Sequence, residues 1–319
     1  MAHVEINTSG YKPNQEIFSE TLQQLAAIDR NIIAVTSDSR GSGKLVPFGN
    51  KFPKQIVEVG IAEQNLVGVA AGLASAGKKV FAVSPACFLT ARALEQIKND
   101  VAYSDNPVTV VGISAGVSYG ALGSTHHSLH DFAVLRAINN ITVVVPADNF
   151  ETEQATVLAA QTDSPVYLRF GKKVMHNLKE VNDDVFEFGK GRIIMNGDDA
   201  VIIACGETVY PALEAARKLA EENLRVAVVS MHTIKPLDTE LLAQLAKQCR
   251  AVLTIEEHSI YGGLGEACAS YLMQHNLHKP FAIMGIPDEY TVTGSQTDIF
   301  NHYGITRDGI ANKVRSLLE

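Results

Sequence analysis

The chain has 319 residues, of which 46% are hydrophobic and 19% are charged, and its formal net charge is −8 at pH 7. The length suits two domains, and the composition is that of a globular protein rather than a disordered one. Because it has neither a Lys/Arg cluster nor a run of about 18 apolar residues, we expect neither nucleic acid as the main partner nor a membrane-spanning helix.

The cysteines and the N-terminal residues indicate the compartment. The four cysteines are scattered without a CxxC spacing, which predicts reduced thiols rather than disulfides or a zinc site. Residues 1–13 lack the apolar stretch of a signal peptide. The sequence therefore predicts a soluble, cytoplasmic protein.

The first part of the chain alternates short β-rich runs with longer helical patterns. Strands separated by helices of about 10–15 residues predict right-handed crossovers and a mostly parallel sheet flanked by helices. The predicted helices are 16–28, 62–76, 89–103, 131–138 and 150–161, and the predicted strands are 31–36, 55–59, 79–84, 108–113, 142–146 and 166–170.

The periodicity fades between about residues 171 and 191, where the polar stretch KKVMHNLKEVNDD predicts a linker. The alternation then resumes, so we expect an α/β protein with two three-layer domains, residues 1–180 and residues 190–319. Each domain should contain a mostly parallel sheet flanked by helices. The predicted strands of the second domain are 200–205, 226–230 and 251–256, and its predicted helices are 210–222, 238–247 and 263–274.

The stretch VEVGIAEQN, residues 57–65, leads from an apolar strand into a helix whose first turn carries Glu63. The next residues, LVGVAAGLASAG, are small and apolar on nearly every face, so we expect this helix to be buried all round. A carboxyl group in apolar surroundings has a raised pKa. An acidic first turn is also a common complement to the helix dipole. The pattern alone leaves both interpretations of Glu63 open.

Two further stretches carry candidate side chains. SPACFLTARALEQIKND, residues 84–100, contains Phe88, which is equally consistent with a core aromatic. GSTHHSLHD, residues 123–131, contains three histidines at the end of a glycine-rich loop, but it lacks the glutamate of a zinc protease helix. We therefore predict no metal site here, and a histidine suits proton transfer near neutral pH.

GIAEQN followed by a Gly/Ala-rich helix, together with GSTHH, resembles the transketolase family. The resemblance covers the pyrimidine-binding and C-terminal domains, from about residue 10 to the end. It implies an enzyme that uses thiamine diphosphate to transfer a two-carbon ketol unit between sugar phosphates. It also implies that Glu63 contacts the aminopyrimidine ring and helps convert it to the imino form, which deprotonates the thiazolium carbon.

The resemblance implies roles for three more residues. Phe88 would pack on the cofactor pyrimidine, and Asp38 in TSDSRGSG would lie near the cofactor. His126 would reach the substrate and handle its hydroxyl protons. His127 and His130 are weaker candidates, since each could equally cap a helix or pack.

The substrate side of the pattern is less complete. Ser42 and Arg169 match family positions that contact substrate phosphate, although each could equally be a solvated loop residue. Three family positions that would contact the sugar or its phosphate are changed. An arginine, a histidine and an aspartate are replaced by Glu16, Ser114 and Leu122, respectively.

A GDG triplet with a later asparagine, which holds Mg²⁺ and the diphosphate in such enzymes, is not found; the nearest match is 196–199, and it precedes a strand instead of following one. A diphosphate needs a metal and backbone donors. We therefore expect Mg²⁺ to be held by a partner, an N-terminal transketolase subunit with the diphosphate-binding domain. Two copies of this chain would form a homodimer within a heterotetramer, and the lone chain would expose an apolar surface and self-associate.

Three alternatives fit parts of the pattern. A beta subunit of a 2-oxoacid dehydrogenase first component has the same two domains, but the GIAEQN and STHH pair favours transketolase. A non-catalytic paralogue would leave a buried Glu63 without a ligand, which costs stability. A deoxyxylulose phosphate synthase shares the motifs but carries its own diphosphate domain. In TIEEHSIYGGLGEA, one GG-x-G is weak evidence for a nucleotide site, and we expect His258 to be structural.

Overall fold

The computed structural model describes residues 11–178 and 186–319. Residues 179–185, which include the predicted end of the first domain and part of the predicted linker, lie outside the described residues. Within the two described ranges, no helix combines the length and the apolar character needed to cross a membrane.

The first sheet is built mainly from parallel strands of the first part of the chain. Its strands β1 and β4 are buried at every residue and rich in Val and Ile, as expected for strands with helices on both faces. The strands are β1 (Ile32–Thr36), β2 (Ile56–Glu58), β3 (Lys79–Pro85), β4 (Val108–Ile113), β5 (Thr142–Val144) and β6 (Val166–Arg169).

The later strands form a second sheet, except for one strand that joins the first sheet. They are β7 (Arg192–Met195), β8 (Ala200–Ala204), β9 (Val226–Ser230), β10 (Thr233–Lys235), β11 (Ala251–Ser259) and β12 (Phe281–Ile286). The second sheet has the order β12-β11-β8-β9-β7, and only β7 runs antiparallel to its neighbour. Strand β10 instead pairs antiparallel with β5, so the first sheet has the order β10-β5-β6-β4-β3-β1-β2.

Helices flank both sheets, which confirms the predicted fold class of two α/β units with mostly parallel sheets. Short 3-10 helices at Gly120–Leu122 and Gly206–Thr208 and a π-helix at Ile97–Tyr103 supplement the α-helices. The α-helices are α1 (Asn14–Ile28), α2 (Val46–Lys51), α3 (Glu63–Ser75), α4 (Ala86–Arg92), α5 (Leu94–Gln96), α6 (Asp131–Arg136), α7 (Asn149–Ala159), α8 (Val209–Ala220), α9 (Thr239–Gln248), α10 (Leu264–Gln274), α11 (Gln296–His302) and α12 (Arg307–Leu318).

The single helix predicted over 89–103 is wrong, since the structure divides it into α4, α5 and the π-helix. Leu89, Ala93, Ile97 and Val101 recur every four residues, and all four are buried in one hydrophobic cluster. In a straight α-helix of 3.6 residues per turn, such a row rotates by about 40° at each step. The break at Ala93 and the wider π turns keep the row facing the core.

Helix α3 is buried on one face only, so the expectation of burial all round is wrong for the described chain. Leu66, Val67 and Ala70 are buried, whereas Gly68 and Gly72 are exposed. A Cβ atom added at either glycine would meet no atom within 4 Å. This face of α3 is open to a neighbour.

The two sheets share a continuous hydrophobic core. One cluster joins Val143 of β5 to Ile203 of β8 and Val229 of β9. The pairing of β10 with β5 adds backbone contacts between the same parts of the chain. The C-terminal region, residues 190–319, is therefore packed firmly against the first sheet. Its side chains can reach the loops of the first domain.

Candidate functional site

Glu63 lies at the carboxyl edge of the first sheet, where open α/β sheets bind ligands. The chain leaves β2, turns at Gly60 with φ +72°, and begins α3 at Glu63. Glu63 is 4% exposed. Its place in the first turn complements the helix dipole, which is one of the two interpretations that the sequence left open.

The surroundings of Glu63 are not purely apolar, because the charged side chain of Arg92 contacts its carboxyl group. Arg92 Nη1 donates to Glu63 Oε1 at 2.9 Å, and the arginine side chain is half exposed. Arg92 is not among the residues predicted from the sequence. Its signal was the spacing from Phe88, because residues four apart on a helix share one face.

Phe88 connects this ion pair to the glycine-rich loop. The Arg92 guanidinium carbon lies 4.4 Å from the centroid of the half-buried Phe88 ring. The ring of His126 meets Phe88 edge to face, with 5.3 Å between the centroids. Glu63, Arg92, Phe88 and His126 therefore form one continuous row of side chains, although they come from three separate segments.

Beyond His126, the row ends in two residues that were not predicted from the sequence. Tyr119 meets the His126 ring edge to face, with 5.6 Å between the centroids. The Lys172 ammonium lies 4.8 Å from the centroid of the Tyr119 ring. His126 Nδ1 is 3.0 Å from the hydroxyl of Thr125. The row thus runs from a buried carboxylate to an exposed cation.

Asp38 lies next to the Glu63 turn through the carboxylate of Glu58. Asp38 is exposed, and its backbone N–H donates to Glu58 Oε1 at 2.7 Å, while the N–H of Gly60 donates to the same oxygen at 3.0 Å. Burial by itself raises the pKa of Glu58, but these hydrogen bonds, one from Thr36 and the charge of Arg40 hold it below its ordinary value. Glu58 therefore ties the loop after β1 to the turn before α3.

Ser42 lies in the same loop as Asp38 but does not touch the row of side chains. It is exposed, and its hydroxyl forms no hydrogen bond within the described part of the chain. The nearby substituted position Glu16 forms an ion pair with Lys44 at 3.2 Å. Ser114, another substituted position, accepts a hydrogen bond from Gln15 at 3.3 Å.

Arg169 is buried, so it is not the solvated loop residue that the sequence left as an alternative, and its phosphate contact stays a prediction. Its Nε donates to Asp131 Oδ2 at 2.7 Å, and its Nη2 donates to the backbone carbonyl of Glu257 at 2.8 Å. Although burial alone would raise it, the charges of Arg169 and His258 keep the pKa of Asp131 below its ordinary value. In this structure Arg169 holds the first domain to the C-terminal region.

The three histidines of the GSTHHSLHD stretch contact different partners and do not share one site. His127 is buried and contacts the hydroxyl of Thr291, whereas His130 lies 3.2 Å from the hydroxyl of Thr90. His258 is stacked on the ring of Phe132, and burial lowers its pKa to about 4. Across the described ranges, no group of three or more His, Cys, Asp or Glu side chains is arranged to hold a metal ion.

The turn at residues 196–199, the nearest match to a diphosphate motif, is occupied by ion pairs. Asp198 pairs with Arg225, and Asp199 lies 3.6 Å from Arg250. A Cβ atom at Gly197 would lie 2.4 Å from the backbone nitrogen of Ala227. Close packing against β9 therefore accounts for this glycine.

Two family descriptions cover most of the chain. Residues 12–176 match "Transketolase, pyrimidine binding domain", and residues 189–310 match "Transketolase, C-terminal domain". Proteins of this family generally depend on thiamine diphosphate. Glu63, Phe88 and His126 all lie in the first matched range.

Two relatives and one solved structure are similar to this chain over most of its length. The chain is 46% identical over 293 residues to one of the subunits of the apulose-4-phosphate transketolase of Phocaeicola vulgatus, covering 92% of this chain and 93% of that protein. It is 34% identical to 1-deoxy-D-xylulose-5-phosphate synthase of Desulfotalea psychrophila, covering 95% of this chain but only 47% of that protein. A solved structure described as "Split gene transketolase, inactive beta4 tetramer" is 35% identical, with a TM-score of 0.86 over 96% of this chain and 98% of that one. The chain therefore belongs to the transketolase family.

Proposed function

We propose that this chain is the cofactor-activating subunit of a thiamine diphosphate-dependent transketolase. It transfers a two-carbon ketol unit between sugar phosphates together with a separate subunit that holds the diphosphate and Mg²⁺. The observation that carries the proposal is the 4% exposed carboxyl group of Glu63, which begins the continuous row with Arg92, Phe88 and His126.

The residues of the row fit the pyrimidine half of the cofactor. Glu63 is shielded from water, so its carboxyl group can form a hydrogen bond with a ring nitrogen without competition from solvent. The half-buried Phe88 ring offers an aromatic face, and Asp38 lies one hydrogen-bonded turn away. Ala91 and Leu94, one and two turns further along, carry no aromatic ring, so Phe88 supplies the aromatic contact of this segment.

When bound, thiamine diphosphate supplies the carbon nucleophile that attacks a ketose carbonyl. Glu63 would hold a proton at the pyrimidine nitrogen, and Arg92 would keep the carboxyl group oriented. His126 would accept or donate a proton at a substrate hydroxyl oxygen. Its ring lies between Phe88 and Tyr119, so it is held on the side of the row away from Glu63.

The substrate proposal rests on charge and on the relatives. Lys172 at the exposed end of the row can meet an anionic group of the substrate, whereas Arg169 is occupied by Asp131. The Phocaeicola vulgatus relative is named for apulose 4-phosphate, a substrate with a phosphate group. We therefore propose a ketose phosphate as the donor, and we include Ser42 only as a peripheral contact.

The partner proposal rests on the open side of Glu63. Ile61, two residues before Glu63, is 74% exposed, and the Gly68–Gly72 face of α3 is uncovered. Exposed apolar surface next to a buried catalytic group favours coverage by a second chain. We propose a heterotetramer with two copies of each subunit. The lone chain should self-associate without activity, as the description of the split gene transketolase structure states for that protein.

The test is to produce the chain together with an N-terminal transketolase subunit that carries the diphosphate-binding domain. Ketol transfer is then assayed with thiamine diphosphate, Mg²⁺ and a ketose phosphate such as apulose 4-phosphate or xylulose 5-phosphate. Glu63→Gln should lower kcat by about 10²- to 10⁴-fold, the usual contribution of a positioned acid or base. Calorimetric titration should show weaker cofactor binding by the same variant.

Glu95→Gln is the matched control, because Glu95 is an exposed acidic residue three positions after Arg92 and lies outside the row. It should leave both kcat and cofactor binding unchanged. Full activity of Glu63→Gln would overturn the proposal. Oxidative decarboxylation of a 2-oxoacid without ketol transfer would instead identify a 2-oxoacid dehydrogenase subunit.

A further inference from the structure

The loop that carries His126 is attached to the C-terminal region at two points. We define the His126 loop as residues 115–128. Its Val117 N–H donates to Glu257 Oε1 of β11 at 2.9 Å. Its His127 Nδ1 lies 2.6 Å from the hydroxyl of Thr291, which lies between β12 and α11. Neither anchor belongs to the first sheet, whose strand β2 leads to Glu63.

We propose that the C-terminal region positions His126, with Glu257 and Thr291 as positioning residues for the reaction. The catalytic consequence rests on the proposed function, but the anchoring of the loop does not. This role goes beyond assembly, because it makes the geometry of a catalytic residue depend on a region that contributes no side chain to the row.

The loop needs outside support because of its own sequence. Gly116, Gly120 and Gly123 all have positive φ, at +61°, +38° and +74°. Glycine gives the unfolded loop many conformations, so fixing one of them has an entropic cost that contacts must offset. The loop's own backbone hydrogen bonds mostly close short turns, such as those from Gly120 N–H to the Val117 carbonyl and from His126 N–H to the Gly123 carbonyl, and one bridge joins Gly116 to Ser128.

The first anchor is a buried carboxylate network. Gln296 Nε2 donates to Glu257 Oε1 at 2.8 Å and to Glu207 Oε2 at 2.5 Å. Burial and the neighbouring Glu207 raise the pKa of Glu257 to about 8. A Cβ atom at Gly116 would lie 2.3 Å from the Glu257 carboxyl carbon, so the glycine is what lets the carboxyl group reach the loop.

The second anchor has a defined direction of hydrogen bonding. His127 Nε2 lies 3.0 Å from the carbonyl oxygen of Gly120. A carbonyl only accepts, so Nε2–H donates. Burial lowers the pKa of His127, which favours the neutral ring. Nδ1 of the neutral ring then accepts from the Thr291 hydroxyl, and that oxygen can accept from Ser124 at 3.2 Å.

The anchors act on His126 because they lie within the same short loop. His127 is the adjacent residue, and the Gly120 carbonyl that it binds directly follows Tyr119, the ring that contacts His126. A Cβ atom at Gly120 would lie 2.3 Å from the carbonyl oxygen of Gly294, so the two regions are in close contact there. A displacement of about 1 Å at a reacting group can cost about 10²-fold in rate.

The main test is Thr291→Val, which removes the hydroxyl group and keeps the shape. With the assembled enzyme we expect kcat to fall by about 10- to 100-fold, while the dissociation constant of thiamine diphosphate is unchanged because Glu63 and Phe88 are untouched. Thr291→Ser should restore kcat. Thr293→Val is the matched control, since this exposed threonine forms no side-chain hydrogen bond in the described chain; it should match the wild type.

A second measurement does not depend on the reaction. Hydrogen exchange of the chain should be faster in peptides from residues 115–128 for Thr291→Val, and unchanged in peptides from residues 63–75. His127→Phe removes the same interaction from the other side, so its effect on exchange should not add to that of Thr291→Val.

Equal loop exchange in Thr291→Val and Thr293→Val would overturn the proposal, and so would additive effects of Thr291→Val and His127→Phe. If the wild type shows no ketol transfer, the proposed function fails, yet the exchange data still decide whether the loop is anchored in this way. If Thr291→Val does not fold, the comparison of His127→Phe with the wild type decides it, and unchanged loop exchange there overturns the proposal.

Discussion

The two ends of the candidate site are supported differently. Glu63 begins a helix directly after a strand of the first sheet, and Glu58 of that same strand fixes its turn. His126 lies in a glycine-rich loop whose anchors, Glu257 and Thr291, come from the C-terminal region. Local secondary structure therefore places the carboxylate, whereas contact between the two regions places the imidazole. The two ends should respond differently to substitution.

The largest effect should separate the two ends by their roles. We expect His126→Gln to lower kcat by about 10²- to 10⁴-fold without weakening thiamine diphosphate binding, because the ring contacts Phe88 but not Glu63. Steady-state kinetics and calorimetric titration of the assembled enzyme give both quantities. Equal losses of cofactor affinity in His126→Gln and Glu63→Gln would remove the distinction between the ends.

The next effect concerns the connection between the two regions. Arg169→Met should lower the free energy of unfolding by about 3–5 kcal/mol, because it leaves the buried Asp131 carboxylate without its cationic partner, although the Tyr167 hydroxyl still donates to it. Urea denaturation of the purified chain measures this. Arg315→Met, which removes a surface pair with Glu222, should cost about 1 kcal/mol or less. Normal stability of Arg169→Met with a raised KM would instead support a phosphate contact.

The pH dependence of stability tests the carboxylate anchor. The pKa of Glu257 is about 8 in the fold against an ordinary value of 4.5, so between these values the folded chain binds more protons than the unfolded chain. Its free energy of unfolding should therefore fall as pH rises from about 4.5 to about 8. Glu257→Gln keeps an acceptor for Val117 and should flatten this decline, as urea denaturation at several pH values would show. An identical decline in the variant would place its origin elsewhere.

The smallest effect compares two glycines. Gly116→Ala forces a side chain into positive φ against Glu257 and should destabilise the chain by about 1–2 kcal/mol or more. Gly68→Ala, in the open face of α3, should stabilise it by about 0.5–1 kcal/mol. Thermal unfolding distinguishes the two signs. Gly68→Ala should also weaken assembly with the partner subunit if that face is covered, which analytical ultracentrifugation can measure.

The sequence predicted the elements that repeat a simple pattern. The apolar runs at Ile32–Thr36 and Val108–Ile113 lie in the structure as buried central strands, and α3 begins within one residue of its predicted start. Short, half-buried elements such as β7, β10 and α2 were missed, because three to six residues carry too little periodicity. The break at Ala93 was missed because residues with a four-residue repeat fit a continuous helix.

The sequence by itself determined that Glu63 follows a strand and opens a helix, and that His126 ends a glycine-rich loop, because both facts depend on neighbours along the chain. Only the tertiary structure decided that Arg92 pairs with Glu63, that Arg169 is buried against Asp131, and that Thr291 holds His127. Those contacts join residues 29 to 164 positions apart. No local pattern of hydrophobicity or spacing encodes which distant side chains the packing of two sheets will bring together.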